Sequence, residues 1–119
     1  MEVEYKAVLK NSEGRILRPT GQVVDFASRL GYSEKGIDVR IKYDEGEADL
    51  LSAMQVSCFI GFDGKEVRIV VSGGEGAERA ELEKIGRCTQ GLLEMDLKDY
   101  ELVRAYKQQI AEREGIKLE

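Results

Sequence analysis

Six residues near the amino terminus, Gly14-Arg15-Ile16-Leu17-Arg18-Pro19, have the makings of an anion site. They lead into a run of helical periodicity, and Pro19 suits a first helical turn, where its missing N–H costs nothing. The first N–H groups of a helix are unpaired and its dipole is positive there, so an arginine beside them completes a place for a negative group. A nucleophile two residues before Arg18 would stand over that place and could carry a phosphoryl group. Ile16 stands there instead, and an alkyl side chain has no lone pair. The chain contains no histidine. The usual general base is therefore missing, and so is the nitrogen nucleophile that accepts and releases phosphoryl groups near neutral pH.

Ser52 is a second candidate. Ser52-Ala-Met-Gln55 fits the S-x-x-Q capping box, in which the hydroxyl satisfies a backbone N–H and the glutamine reaches back. Phosphorylation there would add about −1.5 to −2 charges at a helix start, where dipole and free N–H groups favour them. Met54 has two readings: a core side chain, or part of an adaptable apolar patch with Ile16 and Leu17. Arg18 likewise either binds a partner's anionic group or caps nearby carbonyls. Cys58 and Cys88 lie far apart without histidine for company, which argues against a metal site and for two buried, reduced thiols. An enzyme built on Asp25, Glu45 or a tyrosine has little support.

These residues need elements to hold them. Glu4–Leu9 has strand composition, and Asn11–Gly14 is turn chemistry. Val23, Val24, Phe26, Ala27 and Leu30 recur at helical spacing after Pro19, and Gly31 ends that helix. Gly31–Gly36 reads as a loop. Ile37–Tyr43 alternates with Ile37, Val39, Ile41 and Tyr43 on one face, as a half-buried strand does. Asp44–Gly46 is a turn, and Glu47–Leu50 a short returning strand. Ser52–Cys58 suits two helical turns, and Lys65–Ser72 a strand broken by Gly73–Gly76. Glu78–Met95 is helical with Ala80, Leu82, Ile85, Cys88, Leu92 and Leu93 inward. Gly86 and Gly91 cost that helix about 1 kcal/mol each against alanine and mark close packing or a shorter helix. Asp96–Glu114 is helical again, with a narrow stripe of Leu102, Val103, Tyr106 and Ile110.

The length of 119 residues suits one core, and no repeat or low-complexity segment appears. A net charge of −5 with both signs mixed argues against a nucleic-acid face. No apolar run reaches membrane-spanning length, and Met1-Glu-Val-Glu lacks the pattern of a signal peptide, so a cytoplasmic location is expected. Strands and helices in this order predict an α+β open-faced sandwich with the helices on one face.

That order, with Gly14-x-Ile16-x-Arg18-Pro19 opening the first helix, resembles the histidine-containing phosphocarrier (HPr) family of the bacterial sugar phosphotransferase system. The likeness covers about residues 1–95, an HPr-like domain, and leaves 96–119 as a C-terminal helical extension. The family's Gly-x-His-x-Arg-Pro segment falls on Gly14–Pro19, with Ile16 at the phosphohistidine. Asp49–Val56 aligns without gaps with the family's short middle helix and places Ser52 on the serine that HPr kinase phosphorylates. The resemblance implies an antiparallel four-stranded sheet with three helices on one face, plus the extra C-terminal helix. It also resembles the Crh-like branch, which lacks the histidine and keeps the serine, although Crh usually has a polar residue where Ile16 sits.

Two functions follow as expectations. One is a non-enzymatic, cofactor-free regulator or adaptor that binds protein through Ile16, Leu17, Arg18, Ala53 and Met54 and is switched at Ser52. Its partner would be a transcription regulator, a metabolic enzyme or HPr kinase, with no direct contact to nucleic acid or membrane, and the chain would be a monomer or homodimer. The alternative is an accessory or structural domain whose C-terminal helix mediates oligomerisation or docking.

Overall fold

A computed structural model describes residues 1–10, 17–44, 46–60, 64–95 and 100–115; the side chains of residues 17–19, 100 and 102 fall outside that description. The element order is β1 (Glu2–Val8), α1 (Leu17–Leu30), a 3-10 turn (Ser33–Lys35), β2 (Ile37–Tyr43), β3 (Gly46–Asp49), α2 (Ala53–Val56), β4 (Glu66–Gly73), α3 (Arg79–Leu93) and α4 (Tyr100–Glu114). The strands form one antiparallel sheet in the order β1-β4-β2-β3.

Alternation decides the two faces. Val3 pairs with Val71, which pairs with Val39; Ile69 joins Tyr5 to Ile41 in the same way. These inward positions, with Ala7, Ile37, Ala48 and Val67, are buried apart from the half-buried Tyr5. The outer face carries ion pairs instead, Arg68–Glu4 at 3.3 Å and Arg40–Asp38 at 2.9 Å, around Val70. Partly exposed pairs of this kind contribute little stability; their effect is to keep the open face wet.

Helix α3 lies over β1 and β4, α2 against β3, and α1 against α2 and α3. Val23, Phe26 and Ala27 of α1 and Leu82, Ile85, Cys88, Leu92 and Leu93 of α3 enter the core. Gly86 is what lets α3 settle on β1. A Cβ there would run into the Tyr5 ring, whose hydroxyl donates to the Glu83 carbonyl at 3.3 Å. One turn further, Gln90 donates to the Lys6 carbonyl at 2.7 Å, and Glu94 accepts from the Val8 N–H at 3.2 Å. Polar side chains thus occupy part of the β1 edge, where a further strand would pair.

Two expected positions are corrected. Ala80 is exposed, because the helical period puts it on the side of α3 opposite Leu82, Ile85 and Leu93, which are buried. Cys58 is exposed, whereas Cys88 is buried as expected. The loop at 31–36 holds a 3-10 turn beneath which Tyr32 is buried, and it closes with Gly36 at φ 73°, a left-handed conformation that glycine adopts readily.

Candidate functional site

Of the expected site residues, Ala53 and Met54 lie on α2, which packs against α1, and Ser52 precedes that helix. Ile16 lies outside the described residues. The backbone of Leu17 and Arg18 forms the first turn of α1, while their side chains lie outside the described set. Thr20 in the same turn is buried, and its hydroxyl has no hydrogen-bond partner among the described residues.

At α2 the geometry is resolved atom by atom. Ser52 is the N-cap, extended at φ −97° and ψ 108°, and its hydroxyl accepts from the Gln55 N–H at 3.3 Å. The capping box is only half formed. The Ser52 N–H already donates to the Asp49 carbonyl at 3.0 Å, so the Gln55 side chain turns to Asp49 and accepts its N–H at 2.7 Å. Asp49 Oδ1 in turn accepts from the Leu51 N–H at 3.0 Å, which fixes the turn leading into the helix. Val56, Phe59 and Ile60 anchor the segment in the core.

The outer side of this turn is open and carries two apolar side chains. Ala53 is exposed, and Met54 is 81 % exposed. Met54 is therefore not a core side chain. The Met54 carbonyl accepts from Ser57 Oγ at 2.6 Å and from Cys58 Sγ at 3.5 Å, which brings the exposed thiol to the same end of α2. Sequence reasoning expects Cys58 to be buried because free cysteines usually are, and no local pattern marks it as exposed.

Other candidates do not gather here. Asp25 lies on the outer flank of α1, bonded to Arg29 at 3.2 Å and paired with Lys107 of α4 at 3.4 Å. Glu45 lies outside the described residues. Among the described residues no group of three or more His, Cys, Asp or Glu side chains is placed to hold a metal ion. Burial pushes the Cys88 thiol up to about 11, and it likewise raises the phenols of Tyr32 and Tyr106. No described helix is long and apolar enough to cross a membrane.

A four-stranded antiparallel sheet in this order, with three helices on one face, defines the HPr-like open-faced sandwich; α4 is added to it. Solved structures agree. The phosphocarrier protein HPr from Bacillus anthracis strain Ames superimposes with a TM-score of 0.58 at 18 % identity, over 77 % of this chain and 96 % of that one. A histidine-containing phosphocarrier protein from Mycoplasma gives 0.55 at 20 % identity, over 78 % and 99 %. The likeness is one of fold. No family model matches the chain, and no curated protein matches it either.

Proposed function

We propose that this chain is an HPr-like binding protein, of Crh-like type, that does not carry phosphate on histidine and acts by docking to another protein. The observation that carries the reading is the exposed Met54 beside Ala53, on a capped turn packed against α1, in a chain without histidine. An exposed, flexible thioether on a rigid apolar base suits a protein interface. We assign Ile16, Leu17 and Arg18 to the same binding role, with Ser52 as the switch. Its partner is a transcription regulator, a metabolic enzyme or HPr kinase, met in the cytoplasm. Residues 1–95 form the binding domain and 96–119 its extension.

Phosphorylation at Ser52 would replace a neutral acceptor by a dianion at the start of α2, next to the Asp49 carboxylate and beside Met54, so it would alter both charge and docking. Incubation with HPr kinase and ATP tests this: one phosphate is expected on the wild type and none on Ser52→Ala. Phosphate retained by Ser52→Ala would overturn the assignment. The alternative reading, oligomerisation through the stripe of the C-terminal helix, is less favoured because Val103 and Ile110 are already buried within the chain.

A further inference from the structure

Helix α4 is keyed into its seat at three points. Tyr106 lies over Gly91 of α3 so closely that a Cβ at that position would collide with its hydroxyl and ring. Lys107, whose side chain is only 12 % exposed, donates to the Gln22 side chain and to Asp25 on α1. Glu114 accepts from Arg87 of α3 at 3.3 Å. Cys88, fully buried, lies three residues before Gly91 on α3, and so on the same side of that helix.

The seat is specific but shallow. Among the described side chains of α4, only Val103 and Ile110 are fully buried, with Tyr106 half-buried, whereas α3 buries seven residues. A helix of 15 residues is marginal in isolation, so α4 depends on this seat for its helicity. Elements with few buried contacts open at lower free energy than the core they rest on.

We propose that α4 is a separately opening cover, locked to α3 by Tyr106 in the Gly91 notch and tied to α1 by Lys107. Opening exposes Cys88 and releases Gln22 and Asp25 from Lys107, while the sheet and the three helices beneath stay folded. The Met54 end of the molecule lies on α2, outside the contacts that hold α4.

Cys88 reports the opening. In a Cys58→Ser background, maleimide labelling of Cys88 is slow. Gly91→Leu places a second knob where Tyr106 already sits, and it is expected to speed labelling at least roughly tenfold by forcing the cover open. Gly91→Leu combined with Tyr106→Ala moves the knob from α4 to α3 and is expected to return the rate to within about threefold of the parent. An unchanged rate in Gly91→Leu would overturn the proposal. So would a double variant that labels as fast as the single one, since that outcome means general damage to α3.

Discussion

Replacing Ser52 by alanine tests whether the hydroxyl at α2 works as a cap. In the structure it accepts one hydrogen bond, from the Gln55 N–H, at a rather long 3.3 Å. Ser52→Ala leaves that donor without its partner, while Gln55 stays bound to Asp49. Loss of a serine cap costs about 0.5–2 kcal/mol, and the long bond places this one near 1 kcal/mol. With an unfolding entropy of about 2.1 cal/mol/K per residue, a 119-residue chain has roughly 250 cal/mol/K in all. One kcal/mol then lowers the melting temperature by about 4 °C. Ser52→Asp keeps an acceptor and Ser52→Gly loses only a few tenths of a kcal/mol, so stability should rank Ser and Asp first, Gly next and Ala last. Thermal melts and urea titrations of the four proteins provide the ranking. A Ser52→Ala protein as stable as the wild type, or less harmed than Ser52→Gly, would refute the capping account.

Other consequences are open to measurement. Under native conditions a thiol reagent should modify one cysteine per chain quickly, Cys58, and mass spectrometry of the digested product should find Cys88 largely untouched. Above neutral pH the buried thiol matters. The native state holds the Cys88 proton up to about pH 11 against an ordinary 9.0, so its contribution is complete below about pH 9 and is lost as pH rises towards 11. Chemical denaturation across that window should show stability falling, with a shallower fall in Cys88→Ala. Gly86→Ala gains about 1 kcal/mol of helix propensity but drives a methyl into Tyr5, and overpacking of about 1–3 kcal/mol should leave it net destabilised. In a Tyr5→Leu background the same change should stabilise the protein.

Much of the fold was legible because its core positions repeat. Val23, Phe26 and Ala27 in α1 and Ile37, Val39 and Ile41 in β2 are buried as their spacing requires. Glycines carried more than punctuation: Gly86 and Gly91, costly inside a helix, are the notches that receive Tyr5 and Tyr106. The inward expectation for Ala80 misread the period, since Leu82, Ile85 and Leu93 define the buried face of α3 and Ala80 lies opposite them. The burial usual for a free cysteine does not extend to Cys58, which follows a helix of four residues. The S-x-x-Q pattern predicts two reciprocal bonds; one forms, because the Ser52 N–H is already bonded to Asp49. The Lys107–Asp25 tie joins charges 82 positions apart and carries no local signal. For the candidate site, the helix starts and the Ser52 cap were readable, whereas only the structure distinguished a surface Met54 from a core one.

We propose that Ile16 takes the place of the phosphate-accepting imidazole on an HPr-like scaffold. Incubation with enzyme I and phosphoenolpyruvate, comparing the wild type with Ile16→His, tests it most directly. No label on the wild type and an acid-labile phosphoryl group on Ile16→His are the expected results. Acid-labile label on the wild type, or an Ile16→His protein that stays unlabelled, would contradict the account.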